Sequence, residues 1–189
     1  MKAKILAISG SLRRESYNTA ILKTLAEAVA DVATVEIFSL AGVPFYNQDD
    51  DTATPPARAA ALRQAIADAD GIVIASPEFN YGMPGVLKNA LDWASRPYGR
   101  STLIGKPVLT LTSSPAFTGG VRAQSSLTET LLAIAARPVL RPQIVVGLVH
   151  EKVKDGRLVD ETTLGFLKDG LRDLLRDIAK PASVTMEKA

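Results

Sequence analysis

The segment Gly71-Ile72-Val73-Ile74-Ala75 is apolar at every position over the length of a strand, and amphipathic helical patterns stand on both sides of it. A strand that buries both faces needs a layer above and a layer below, as a central parallel strand has. The rest of the chain supplies those layers. Residues 3–9 read as a buried strand, and residues 19–30 follow with Ile21, Leu22, Leu25 and Val29 on one helical face. Residues 32–38 alternate apolar and β-branched residues with Thr34 and Glu36 as a second strand. Residues 56–69 form a helix through Leu62, Ala65, Ile66 and Ala69, residues 84–94 another through Leu87, Ala90, Leu91 and Ala94.

Residues 107–112 are the next strand, and residues 121–136 are helical through Leu127, Leu131 and Ile134. A last strand spans 139–146, where Pro142 argues for a bulge or an edge position. Leu164, Leu167, Leu171, Leu174, Leu175 and Ile178 mark the final helix, and 181–189 reads as a polar tail. Five strands alternating with five helices specify an α/β fold, a five-stranded parallel sheet with helices on both faces and right-handed crossovers. Its ligand site is expected beyond the carboxyl ends of the strands, where the loops after strands one, three and four converge. Residues 1–180 are expected to form one domain, since 189 residues at 47% hydrophobic content build one sizeable core.

Composition narrows the chemistry. There is no cysteine and a single histidine, so disulfides, thiolate metal sites and histidine clusters are excluded and no metal site is expected. The run Asp49 to Asp51 within the long loop 40–56 lacks partners for a coordination shell and reads as solvated surface. Basic residues are dispersed and the net charge is only +2, which makes nucleic acid a poor partner. No apolar run reaches eighteen residues, and Met1-Lys2 leads directly into the first strand. A cytoplasmic protein with no membrane insertion is expected.

Two loops carry functional signals. In the first, Ser9-Gly10-Ser11-Leu12-Arg13-Arg14-Glu15-Ser16-Tyr17-Asn18-Thr19 passes from strand to helix N-terminus, with Ser11, Arg13, Ser16 and Asn18 as donors suited to a phosphate. The same residues also suit an ordinary βα loop with an N-cap. The loop is neither a Walker A sequence nor a dinucleotide G-x-G-x-x-G fingerprint. In the second, Pro77-Glu78-Phe79-Asn80-Tyr81-Gly82-Met83-Pro84-Gly85, prolines stiffen the backbone, Gly82 and Gly85 permit conformations or approaches closed to other residues, and two aromatics offer flat apolar surface. Such a loop suits the edge of a planar heterocycle; a packed turn that completes the core is the alternative.

Taken together, Gly10-Ser11-Leu12-Arg13 with Ser16 and Asn18, followed by Pro-Glu-Phe-Asn-Tyr-Gly-Met-Pro-Gly-Val-Leu-Lys-Asn-Ala-Leu-Asp-Trp, resemble the NADPH-dependent FMN reductase family, in its chromate- and quinone-reducing branch. The resemblance runs from Lys2 to about Ile178. It implies a flavodoxin-like three-layer sandwich, bound FMN, and NADPH or NADH as co-substrate in a two-step transfer to quinones, chromate or similar acceptors. By position it implies that Ser11, Arg13, Ser16, Asn18 and Thr19 hold the FMN phosphate. Pro77, Glu78, Phe79, Asn80, Tyr81 and Gly82 would line the ring system, and Ser113 and Ser114 would supply a third loop. Phe79 departs from the family's usual tyrosine, and Ala116-Phe117 depart from its usual turn before Gly119-Gly120-Val121-Arg122.

No single side chain is expected to be catalytic, because a flavin carries the hydride itself. Arg14, Arg100 and Arg122 are candidates for the substrate mouth, as are Arg13 and Arg96 in loops assigned to the ligand edge. The resemblance also implies a homodimer, or a homotetramer made of two, through the helix bearing Lys88, Asn89, Asp92 and Trp93; from its own pattern Trp93 reads as core. His150 reads as a loop or surface residue. Azo-dye or free-flavin reduction by the same family, and a flavodoxin-like electron carrier, are the rival readings. Such carriers are usually strongly acidic, which this chain is not.

Overall fold

The computed structural model describes residues 2–180, and the expected tail 181–189 lies outside the described residues. The elements in order are β1 (Ala3–Ser9), α1 (Tyr17–Ala28), β2 (Ala33–Phe38), α2 (Ala57–Asp68), β3 (Gly71–Ser76), α3 (Gly85–Ala94), β4 (Pro107–Ser113), α4 (Val121–Ala133), β5 (Arg137–Pro138), β6 (Ile144–Val146), α5 (Val149–Lys152), β7 (Val153–Lys154), β8 (Arg157–Leu158) and α6 (Glu161–Ile178). The parallel sheet runs β2-β1-β3-β4, and both β5 and β6 pair in parallel with the outer edge of β4. This is the flavodoxin-like doubly wound order, with the switch point between β1 and β3.

Two cores follow from the alternation of side chains along the strands. Odd-numbered residues (Ile5, Ala7, Val73, Ala75, Leu109, Leu111) pack against α1 and α6, and even-numbered ones (Leu6, Ile8, Ile72, Ile74, Val108) against α2, α3 and α4. Ile21, Leu22 and Leu25 of α1 are each 1% exposed or less. Burying each contributes roughly 1.5–3 kcal/mol, which far exceeds any intrinsic helix preference of this segment. At Gly71 a side chain would stand 2.8 Å from Ile178 Cδ1, so the start of β3 and the end of α6 meet closely.

Three expectations are corrected. The strand read over 139–146 is two short pieces, β5 and β6, separated by an excursion that contains Pro142, which has no N–H to give to a ladder. The helix read over 121–136 stops at Ala133; Ala135 adopts φ 57° and Ala136 N–H returns 2.9 Å to Leu131 O, a left-handed closure made without glycine. The first helix begins at Tyr17, two residues earlier than read, because Ser16 is its N-cap and accepts from Thr19 N–H at 3.2 Å. The sequence reading passed over α5 and the β7–β8 hairpin, whose Leu158 N–H donates to Thr24 Oγ1 on α1.

Candidate functional site

Beyond the carboxyl ends of β1, β3 and β4 lie three loops, and hydrogen bonds tie each to the next. Gly10 N–H donates to Ala75 O at 2.8 Å, and a side chain at Gly10 would stand 3.2 Å from Leu87 and 3.3 Å from Pro77. Ser113 Oγ, at the end of β4, donates to Asn18 Oδ1 of α1 at 3.0 Å, both residues being buried. Glu78, after β3, reaches α4: its Oε2 accepts from Arg122 N–H at 2.9 Å and Ala123 N–H at 3.0 Å.

The first loop is organised by its own hydroxyls. Ser11 N–H donates to Ser9 Oγ, Arg13 N–H to Ser11 Oγ, and Thr19 Oγ1 to Ser9 Oγ at 3.0 Å. Thr19 thus commits its N–H to Ser16 and its hydroxyl proton to Ser9. Donors remain at Ser11, at Ser16 Oγ, at Asn18 Nδ2 and at the exposed Arg13 guanidinium, which stands 5.7 Å from the Tyr17 ring. The first-turn N–H groups of α1 have no acceptor within the helix. These donors surround one helix N-terminus, where the dipole adds positive potential.

In the second loop Phe79 and Gly82 exchange backbone hydrogen bonds, both at 3.0 Å, around Asn80 (φ 49°) and Tyr81 (φ 66°). Two successive left-handed residues inside a reciprocal pair make a type I′ turn. Asparagine tolerates that conformation; for tyrosine it is strained, and the surrounding structure must hold it there. The expectation that Gly82 and Gly85 supply unusual backbone geometry is corrected: neither has a positive φ, and a side chain at Gly85 would meet nothing within 4 Å. The turn leaves Phe79 57% and Tyr81 70% exposed, so these rings do not complete the core. Arg122 Cζ lies 3.8 Å from the centroid of Tyr81.

The third loop, 114–120, is pressed onto the chain after β6. Ser114 N–H donates to Val146 O and Val149 N–H to Ser114 O, while Ser114 Oγ accepts from Ala116 N–H. A side chain at Gly147 would stand 2.3 Å from Phe117 O, so only glycine fits there. Phe117 is left 84% exposed.

Some candidates stand apart. Arg14 lines a cleft of about 420 Å³ that runs from Ser16 and Thr19 of the first loop to Lys23, Val153 and Asp155. Arg96 and Arg100 follow the far end of α3 and lead into the amino end of β4, which corrects their assignment to the ligand edge; about 15 Å of helix separates them from the second loop. Arg96 stacks on Tyr46 instead, 5.6 Å from its centroid. Trp93 is wholly buried within the chain, and its Nε1 donates to Pro44 O at 2.8 Å. That agrees with its reading as core and removes it from any contact between copies. His150 in α5 has a side chain 46% exposed. Among the described residues no cluster of three metal-binding side chains occurs, and Asp51 pairs with Arg63 at 2.8 Å.

Sequence reasoning named Glu78 as a ring-lining residue and Asn89 as part of a contact helix, and missed what their side chains do within this region. Glu78 caps α4, where Gly120 offers no side chain of its own, and Asn89 grips the 40–56 loop by donating to Pro44 O and accepting from Tyr46 N–H. A carboxylate 43 positions before a helix start carries no local signal of capping.

The chain is similar to known proteins over nearly its whole length. A family model described as NADPH-dependent FMN reductase matches residues 3–151. An NAD(P)H-dependent FMN reductase of Pseudomonas aeruginosa is 37% identical, covering 90% of this chain and 92% of that one. A quinone reductase of Escherichia coli K12 is 38% identical over 88% of this chain and 90% of its own. Among solved structures, the flavoenzyme NAD(P)H:(acceptor) oxidoreductase FerB of Paracoccus denitrificans superposes with a TM-score of 0.82 at 28% identity, covering 93% and 98% of the two chains.

Proposed function

The chain belongs to the NADPH-dependent FMN reductase family, and we infer from that membership, and from the three joined loops, that it is an FMN-dependent NAD(P)H:quinone oxidoreductase. The observation that carries the reading is the placement of a polar donor set at the N-terminus of α1 beside a rigid turn that presents two exposed aromatic rings. The donors fit FMN: Ser11, Ser16, Asn18 Nδ2, Arg13 and the first turn of α1 would hold the phosphate. Thr19 would act indirectly, by fixing Ser9 and Ser16. Pro77 through Gly82 would border the ring system mainly through backbone, because the Glu78 carboxylate is engaged with α4. Ser113 and Ser114 would close the third side.

When bound, FMN supplies the two-electron relay between NAD(P)H and the acceptor. The chain's own residues position and shield. The Ser113–Asn18 bond keeps the first and third loops in register, and the Glu78 cap fixes the second loop against α4. Phe79, Tyr81 and Phe117 offer apolar surface that excludes water from a planar substrate. Arg13 and Arg122 place positive charge at the mouth, which attracts an anionic dinucleotide or an oxyanion. No side chain acts as an acid or base.

The acceptors are quinones, with chromate as a further oxyanion acceptor. Residues 1–180 act as a single FMN-binding domain in the cytoplasm, working as a homodimer or a homotetramer built from two. Among the described residues no helix is long and apolar enough to cross a membrane. Steady-state kinetics with NADPH and a benzoquinone test the reading. Parallel double-reciprocal lines are expected, and intersecting lines with no activity of the separate half-reactions would overturn it.

A further inference from the structure

The third loop fixes its backbone and exposes its ring. Ala116 O accepts from Gly119 N–H at 3.2 Å and from Leu148 N–H at 3.3 Å, and Ala116 N–H donates to Ser114 Oγ at 3.1 Å. Beyond Phe117 the chain leaves through Gly119 (φ 64°) and Gly120 (φ 90°), both buried. A side chain at Gly119 would stand 2.9 Å from Gly147 N, and one at Gly120 3.3 Å from Glu78 Cβ. The loop is thus wedged between the chain after β6 and the second loop. Phe117 is held on both sides, yet it meets solvent over most of its surface.

A turn that had only to join β4 to α4 would carry a polar residue at so exposed a point, because a phenyl ring left in water forgoes the gain of burial. At the same carboxyl edge of the sheet Phe79 and Tyr81 are exposed too, and Glu78 links their turn to the helix that Phe117 precedes. Three exposed rings on two joined loops make an apolar surface of the kind that marks a ligand site. The backbone beneath them is already ordered, so a flat apolar ligand is met without the entropy loss of ordering a loop. p-Benzoquinone matches such a surface poorly, since its single ring carries polar carbonyls at both ends. A second, fused ring adds a flat face with no polar group.

We propose that Phe117 is a specificity-determining residue that selects fused two-ring quinones over one-ring quinones, an inference that rests on the quinone-reductase reading above. In each turnover NADPH and one proton deliver two electrons and two protons to α-naphthoquinone, leaving NADP⁺ and the naphthalenediol. The FMN-loaded chain is assayed with NADPH against α-naphthoquinone and p-benzoquinone. It is also titrated with α-naphthol and with phenol, which NADPH does not reduce, while the ring ¹³C signals of its five phenylalanines are followed. The ratio of kcat/KM for the two-ring over the one-ring quinone is expected to fall about tenfold in Phe117→Ala and to stay within about twofold in Phe117→Tyr, which keeps the ring. Intrinsic reactivities of the quinones cancel in that comparison. α-Naphthol is expected to shift the signal that Phe117→Ala removes, and to bind about fivefold more tightly than phenol. Phe117→Gln is expected to lower the ratio likewise and serves if the alanine variant does not fold. An unchanged ratio in these variants, or an α-naphthol response that leaves that signal in place, would overturn the proposal. So would altered sedimentation of loaded Phe117→Ala, because the ring would then lie between copies. An unaltered chain that keeps no FMN or does not oxidise NADPH would overturn the redox reading and this inference with it, whereas failure with NADPH oxidation intact falls on this inference alone.

Discussion

The carboxylate of Glu78 accepts the backbone N–H of Arg122 at 2.9 Å, and the side chain of the same arginine lies over Tyr81, three residues beyond Glu78. Helix α4 and the 77–82 turn therefore hold each other at two points. One point is a charge-assisted cap on a helix that begins at Val121 and whose N-cap residue, Gly120, has no side chain to cap it. Glu78→Ala leaves two N–H groups without that acceptor and is expected to destabilise the fold by about 1–2 kcal/mol. For a chain of this size that lowers the melting temperature by roughly 3–6 °C, read by thermal unfolding of the flavin-free protein. Glu78→Gln keeps an acceptor and should recover part of the loss.

Arg122→Ala removes the second point. The pair is exposed, so stability should change by less than about 0.5 kcal/mol. The kcat/KM for NADPH should fall about fivefold, the equivalent of ~1 kcal/mol of lost attraction, and its decline with added salt should flatten. Stopped-flow measurements across an ionic-strength series check both effects.

Two glycines make opposite predictions. Gly147→Ala drives a methyl against Phe117 O and is expected to cost on the order of 3 kcal/mol or to prevent folding. Gly85→Ala, at the start of α3 with open space around it, should be neutral or slightly stabilising. Chemical denaturation of the two flavin-free variants separates them.

Trp93 is the chain's single tryptophan, which makes its burial readable by fluorescence. Its emission should be blue-shifted, inaccessible to iodide, and unchanged on dilution through any dissociation of copies. Trp93→Phe removes the bond to Pro44 O and part of a packed ring, a loss of about 2–3 kcal/mol in chemical denaturation.

Asp160 caps α6, and its pKa lies below the usual 3.8 because the Thr163 hydroxyl, and then the Thr163 N–H, donate to the carboxylate. A depressed folded-state pKa means stability that is fully present above the unfolded value and lost as pH falls through the folded one. Acid unfolding followed from pH 5 to pH 2 should therefore be less steep in Asp160→Asn than in the parent chain.

The architecture was legible because the strands of a doubly wound sheet announce themselves. Gly71 to Ala75 admits no solvent on either face, and the amphipathic stripes of α1, α3 and α6 point to the layers that cover it. The fifth strand was misread because Pro142 weighs on only one residue, whereas its structural effect extends over the whole 139–143 excursion. In the site, residue types in the first two loops indicated donors and aromatics, but not their alliances. That Thr19 commits its hydroxyl to Ser9, that Glu78 caps a helix 43 residues later, and that left-handed geometry falls on Asn80 and Tyr81 beside an available glycine all depend on tertiary context. Arg100 was misplaced for a topological reason, because a loop that follows a helix opens on the opposite edge of the sheet from one that follows a strand.

The most direct measurement is the visible absorption spectrum of the chain after incubation with FMN and removal of free flavin, recorded again under anaerobic conditions with NADPH and then with a benzoquinone. Flavin bands that persist through gel filtration, bleach with NADPH and return in full with the quinone are the predicted result. A colourless protein, or flavin bands that NADPH leaves unchanged, would contradict the account.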